Sequence, residues 1–527
     1  MNAEALEHTI EDFLSEAASA VVIEDGAVTF DLAQAKYSIS GEHNKCVLHL
    51  WSAERNTVRR VLDAEVRHGT LRLAVQRLGQ ARPTKLEICR ERDRRTPSAK
   101  RQARAAYEQK LRRMIERHFP GFVIAKLTSG VDLEKSFGPI YARGLIRRGQ
   151  SAFAVLGVNA TETQSSIDAA LTFGILWIDL CRQNPHFSQK AREVGHSGSL
   201  LVEGLILVVP FGSSALVRER MANLNRAAAK WRLFEFNERD DSVVEMDCSD
   251  RGNVATRLVR ATNETAALER FAESIARVQM ILPNCEVAVL SAAEIACRWR
   301  GLEFARARMS AEAVTFRTKQ EIIFGVGAEE RVLTDSNWAL FVQLLTALRE
   351  ARHPYGSRRE RLFRMHPERW LESLVMTDVG AIDERLEAES VYSQVPAFSA
   401  SDRAMIDVLT LTRDGRLAVV ELKADEDIHL PLQGLDYWAR VAWHHQRGEF
   451  LKFGYFGGRE LSADAPLLFL VAPALHVHPA TDTILRYIAP EIEWAFAGID
   501  ERWREGVRVV FRKRARARPE FQLPIAN

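Results

Sequence analysis

The sequence predicts a multidomain α/β (α+β) protein. Three observations lead there. The chain has 527 residues, too many for one ordinary core. Short β-branched and apolar runs alternate with longer stretches of helical period. Gly, Asn, Pro or Asp signals separate them. A hydrophobic content of 46% with 27% charged residues is that of a water-soluble globular chain.

Residues 1–100 read as a β-rich domain behind one opening helix, with strand-like runs at 21–23, 27–32, 46–51, 70–77 and 85–89. Residues 101–248 open on a basic helix and then alternate strand and helix, as an α/β unit does. Residues 249–350 read as a mainly helical connector containing one strand at 321–326. A basic Pro/Gly-containing linker follows at 352–361, within a second α/β unit that spans 351–519.

The two α/β units resemble each other. Phe153-Ala154-Val155-Leu156-Gly157-Val158-Asn159 aligns with Leu417-Ala418-Val419-Val420-Glu421-Leu422-Lys423, each a few places after a glycine, Gly149 and Gly415. Leu205-Ile206-Leu207-Val208-Val209-Pro210 aligns with Leu468-Phe469-Leu470-Val471-Ala472-Pro473, and Trp231 with Trp494, at an offset that stays near 264 residues. Self-similarity at a nearly fixed offset suggests duplication; shared strand-helix-strand spacing is the simpler alternative. If duplicated, the first copy has lost its chemistry: Arg143 stands where Asp407 would be, Gly157 replaces Glu421 and Asn159 replaces Lys423.

Net charge is only +2, but basic residues cluster. Arg94, Arg95, Lys100, Arg101 and Arg104 fall in one run, and Arg512, Lys513 and Arg514 in another. Such runs can follow a phosphate backbone; a solvated helix face and a frayed tail are the plainer reading. The six cysteines show no Cys-x-x-Cys spacing and no paired framework, which fits a reducing cytoplasm and argues against structural zinc. The acidic start lacks the pattern of a signal peptide, and no apolar run reaches membrane-spanning length. No phosphate-loop motif occurs.

The chemistry concentrates between Asp407 and Tyr437. Arg413-Asp414-Gly415 fits a three-residue hairpin loop with Gly in the left-handed position. Asp407 then lies directly opposite Glu421 on one face. Glu421 and Lys423, two apart, share that face, while Leu422 points into the core. Two carboxylates suit Mg²⁺ or Mn²⁺, which prefer hard oxygen ligands. Before the hairpin, Glu368 lies on the apolar stripe of a helix with Leu371 and Val375, whereas Glu372 falls one place off it and is expected to be exposed. After the hairpin, Gln433 and Tyr437 share one helix face at i, i+4. A salt-bridged surface hairpin accounts for the Glu-x-Lys triplet alone, but the ordered set is much rarer. His444 and His445 follow the accessory helix; His476 and His478 lie on one side of an extended segment and could reach a metal, but with no second ligand cluster nearby loop histidines are the plainer reading.

In that order and spacing, residues 362–515 resemble the PD-(D/E)xK nuclease superfamily, in the RecB/NucS-like branch with a Gln-x-x-x-Tyr helix. The resemblance implies a restriction-endonuclease-like mixed sheet flanked by helices and Mg²⁺- or Mn²⁺-dependent cleavage of phosphodiesters. It implies that Asp407 and Glu421 ligate the metal, that Lys423 is the catalytic lysine, that Glu368 is the first-helix acid, and that Gln433 and Tyr437 assist. The proline that often precedes the metal aspartate is absent, since Met405-Ile406 stands there. The expectation is a cytoplasmic DNA endonuclease of repair or defence, with nucleic acid, DNA ahead of RNA, as its partner and no membrane association. The degenerate copy suggests a pseudo-dimeric cleft and leaves homodimerisation open. The alternatives are a non-catalytic nucleic-acid-binding protein that retains the fold, and a structural protein in which the acidic pair is a salt-bridged hairpin.

Overall fold

Strict alternation along Thr70–Arg77 puts Leu71, Leu73 and Val75 on one fully buried face. This strand is part of a seven-stranded antiparallel sheet whose members run from Val21–Glu24 to Thr84–Cys89. The opening helix Ala3–Ser15 lays Leu6, Ile10 and Phe13 against it, the i, i+4, i+7 stripe of an amphipathic helix. The computed structural model describes residues 3–15, 20–24, 27–32, 35–42, 45–51, 56–67, 70–77, 83–90, 97–132, 135–183, 200–251, 254, 256–311, 318–327, 330–399 and 405–515. The chain is a mixed α/β protein with several sheets, and it divides into two compact units. One holds residues 1–217 and 230–246, the other residues 218–229 and 247–527. Among the described residues no helix is long and apolar enough to cross a membrane.

The first unit also contains a six-stranded mixed sheet preceded by the helix Pro97–His118. Val123–Thr128, Tyr141–Arg148 and Ser151–Val158 form an antiparallel meander; Leu201–Pro210 and Lys230–Asn237 continue it in parallel, and Ser242–Met246 closes it antiparallel. The helix Ala170–Gln183 makes the parallel crossover.

The second unit repeats this plan. The helix Pro367–Thr377 leads into Tyr392–Ser399, Met405–Leu411 and Leu417–Leu422, again an antiparallel meander. Leu430–Gln446 crosses over to Leu467–Pro473; Trp494–Ile499 adds in parallel and Val509–Ala515 antiparallel. A seventh strand, Thr256–Leu258, pairs with Tyr392–Ser399 from far upstream. Strand order and direction are the same in the six shared strands of each sheet.

Register corrects one correspondence. Ala142 pairs with Gly157, and Arg143 pairs with Leu156. Arg143 is therefore not the counterpart of Asp407. Its buried guanidinium stacks over Phe137 and Trp177 and donates to the Gly130 carbonyl, a packing role.

Residues 249–350 are not mainly helical. They fold largely as a five-stranded antiparallel sheet, from Glu286–Ser291 through Leu302–Ala311 to Arg331–Val332, flanked by the helices Glu264–Arg270, Ala272–Gln279 and Trp338–Ala351. The Ala, Arg and Glu content of Leu302-Glu303-Phe304-Ala305-Arg306-Ala307-Arg308 favours helix by propensity. Leu302, Phe304, Ala305 and Ala307 are buried while Glu303 and Arg306 are half-buried and Arg308 exposed, an alternation that changes phase at Phe304-Ala305, so tertiary burial decides for strand.

Candidate functional site

The hairpin that carries the candidate site turns at Gly415, whose φ of 81° is the left-handed conformation glycine adopts without cost. The Thr412 amide donates to the Arg416 carbonyl at 2.8 Å and the Gly415 amide to the Thr412 carbonyl at 2.9 Å. Pairing runs from Leu411↔Leu417 to Val408↔Val420, and one step further sets Asp407 against Glu421. There the ladder stops. The Leu422 amide donates to the Asp407 carboxylate at 3.1 Å, fixing that side chain at the sheet end. Leu422 itself packs in the core.

The Asp407 and Glu421 carboxyls are close enough to raise the proton affinity of Glu421. Glu421 is only 1% exposed, and burial, then the Asp407 charge, push its carboxyl well above the usual range. Burial raises Asp407 too, against the Leu422 amide and the Lys423 charge. The Lys423 ammonium donates to Glu421 Oε1 at 3.2 Å and lies 3.9 Å from Glu368 Oε1. Burial works to lower the lysine, but Glu421, Glu368 and Asp407 outweigh it and hold it charged.

The helix Leu430–Gln446 supplies the next layer. At Gly434 it lies so close to the sheet that a β-carbon would stand 2.4 Å from Leu470 Cδ2 and 3.6 Å from Glu421 Cβ. That approach brings Tyr437 within electrostatic range of both carboxylates, with Gln433 next to Gly434 on the same helix. Burial first, then Glu421 and Asp407, push the Tyr437 phenol up, so it stays protonated. Asp436 on the same helix is gripped by Arg220 at 2.7 and 2.9 Å, which fixes the helix rotation.

The first-helix acids differ from expectation. The Glu368 side chain, in the opening turn of Pro367–Thr377, is 51% exposed although it reaches Lys423. Glu372, expected outside, is buried, pairs with Arg369 at 2.9 Å, and is pushed up to about 8, chiefly by burial. The reason is that this helix is covered on a second side as well. The five-stranded sheet covers its far side: Glu286, Arg298 and Gly301 line a pocket with Arg369, Glu372 and Ser373. A stripe-based reading assumes one buried face and misses that second layer. The only signal in the sequence is that Glu372 lies i+4 from Glu368.

The basic candidates are dispersed. Arg94 and Arg95 fall outside the described residues. Lys100 and Arg101 lie on the helix Pro97–His118, and Arg104 is paired with Glu162 at 2.7 Å. Arg512, Lys513 and Arg514 belong to a strand rather than a frayed tail. They bind the Ile382 carbonyl, Asp482 and Asp383 respectively, so their charge is spent within the fold.

Two observations bear on a metal. Glu421 Oε2 and Gln433 Oε1 are buried with no hydrogen-bond partner, an arrangement that normally requires a ligand, ion or water. Among the described residues no group of three or more His, Cys, Asp or Glu side chains is placed to hold an ion. The side chains that could hold an ion are the two carboxylates, a donor set suited to a hard cation that keeps part of its water shell.

No protein-family model matches this sequence, and no curated protein matches it.

Proposed function

We propose that the second unit is a Mg²⁺- or Mn²⁺-dependent nuclease of PD-(D/E)xK type that hydrolyses phosphodiester bonds in DNA. The observation that carries this reading is the buried carboxyl pair, Asp407 and Glu421, at the end of the hairpin ladder beside Lys423, with Glu421 Oε2 left unsatisfied. A buried like-charge pair is costly unless a cation or proton is shared between them. The helix, three-strand meander, crossover helix and parallel strand agree with the restriction-endonuclease-like arrangement that the motifs imply.

Asp407 and Glu421 would hold the ion, which supplies Lewis acidity toward the phosphate and an activated water. Lys423, kept protonated by its three acidic neighbours, serves as a positive charge at the phosphate and an orienting donor for water, not as a base. Tyr437 and Gln433 donate to substrate or water from the facing helix. Glu368, the half-exposed acid within reach of Lys423, positions that ammonium.

The six-stranded sheet of the first unit has no such pair, since Gly157 and Asn159 occupy the corresponding strand. We assign it a bracing or binding role, with the whole protein acting in cytoplasmic DNA repair or defence. The test is Mn²⁺-dependent cleavage of linear, nicked, flapped, mismatched and single-stranded DNA by wild type, Asp407→Ala and Lys423→Ala. Cleavage lost in both variants while binding persists supports the nuclease. Binding without cleavage by wild type replaces it with a scaffold that only binds nucleic acid.

A further inference from the structure

We propose that the loop between Arg352 and His366, with Arg504 beside it, is a docking surface for single-stranded nucleic acid, in which Tyr355 stacks on an unpaired base and Arg358, Arg359, Arg361 and Arg364 hold the backbone phosphates.

The loop is built rigidly from beneath. Arg352 is fully buried, and its guanidinium makes five hydrogen bonds to backbone carbonyls, those of Arg300, Leu362, Met365 and His366, at 2.6 to 3.3 Å. Among the described residues it forms no ion pair, although the Glu286 charge acts on it, and it lies 4.8 Å from the Trp370 ring centre. Burial pushes it down to about 10, still charged at neutral pH. Gly356 completes the turn, where a β-carbon would stand 2.3 Å from the Ala351 carbonyl oxygen.

What this scaffold presents is unusual for a surface with no partner. The Tyr355 side chain is 79% exposed. Arg358, Arg359, Arg361 and Arg364 are all exposed, and among the described residues none of the four forms an ion pair. Glu360 is the only acid among residues 352–366. An aromatic ring beside unpaired cations is the pattern by which proteins grip single strands, stacking on bases and tracking phosphates. Because the loop is already fixed, docking pays little ordering entropy.

The loop packs against the helix Pro367–Thr377, which carries Glu368. Phe363 of this loop packs 5.4 Å from Trp370, and Arg504 lies 4.9 and 5.3 Å from those two rings. Trp370 is two residues beyond Glu368, whose carboxylate is 3.9 Å from Lys423. That a strand held here is also the strand cut at the carboxylate pair rests on the nuclease reading, while binding itself does not.

The test is fluorescence anisotropy of an oligo-dT strand and of a blunt duplex, in EDTA so that nothing is cut. Full-length wild type is compared with Tyr355→Ala and with Arg358→Ala/Arg359→Ala. Tyr355→Ala is expected to weaken oligo-dT binding roughly tenfold or more with duplex binding unchanged. The double arginine variant is expected to lower the salt slope for oligo-dT by about 1.4. Both sites are exposed, so unchanged thermal melting verifies the fold. Oligo-dT binding untouched in both variants overturns the proposal, as does equal loss for duplex and single strand. Loss of binding in the variants alongside a wild type that cuts nothing leaves the surface standing and removes the nuclease.

Discussion

The hydroxyl of Tyr107 stands 2.6 Å from the point that a β-carbon on Gly157 would occupy. In the sheet of the first unit a phenol from the preceding helix therefore fills the space beside the third strand. In the second unit the corresponding strand carries Glu421. The Tyr107 hydroxyl is buried without a hydrogen-bond partner, so the ring contributes by packing.

Restoring an acid at that place should fail. Gly157→Glu is expected to unfold the first unit without creating a metal site. Gly157→Ala should cost about 1–3 kcal/mol through overpacking. Tyr107→Phe, which deletes an unsatisfied hydroxyl, should be neutral or stabilising by up to about 1 kcal/mol. A marked loss of stability in Tyr107→Phe on denaturant melting would show that the hydroxyl does have a partner.

Asp407 and Glu421 repel each other in a buried setting. Asp407→Asn and Glu421→Gln are each expected to reduce Mn²⁺-dependent cleavage by at least ~10³-fold. In EDTA, Glu421→Gln should also melt at or above the wild-type temperature, because one member of the like-charge pair is gone. Single-turnover rates and melting curves read both effects; a variant that cuts normally dismisses the metal assignment.

Glu372 gives a pH signature. Its folded-state value, raised to about 8 from a usual value near 4.5, keeps a proton that the unfolded chain releases. Its contribution to stability is complete below about 4.5 and is lost as pH rises through about 8. At about 1.4 kcal/mol per pKa unit, a few kcal/mol at most is involved. Glu372→Gln should flatten that decline and melt higher than wild type at pH 9. Parallel pH–stability curves for the two proteins would refute it.

Asp383 runs the other way. It is buried between Arg385 at 2.9 Å and Arg514 at 2.6 Å. Burial raises its carboxyl, but the hydrogen bonds and charge of Arg385, with Arg514 adding, hold it below the usual aspartate range. Its contribution is present above pH ~4 and is lost as pH falls through its lowered folded value. Asp383→Asn should cost ~3 kcal/mol. Arg514→Ala should lower stability while changing DNA affinity less than twofold. A steep affinity loss would return Arg514 to the nucleic-acid surface.

The hairpin was legible because its determinants are local: a glycine for the left-handed turn, and a period of two that carries Asp407, Glu421 and Lys423 to one face. The Gln433–Tyr437 pair follows from helical spacing in the same way. Glu372 was not legible, because its burial comes from a sheet that begins eighty-odd residues upstream. That sheet was itself hidden by alanine and arginine, whose helix propensity masks the alternation in Leu302–Ala311. Clustered arginines are hard to read for a related reason: a run in sequence does not show which carbonyls and carboxylates of the fold will claim each guanidinium, as Arg512 and Arg514 illustrate.

Thr256–Leu258 pairs with Tyr392–Ser399, although more than a hundred residues separate them. The five-stranded sheet is thus an insertion spliced into the larger one, not a bead threaded before it. A fragment cut at residue 351, where composition places the seam, would bare the edge of Tyr392–Ser399 and strip the cover from Glu372, inviting edge-to-edge aggregation. The smallest autonomous piece begins before Thr256, and half of what looks like a connector is part of the walls.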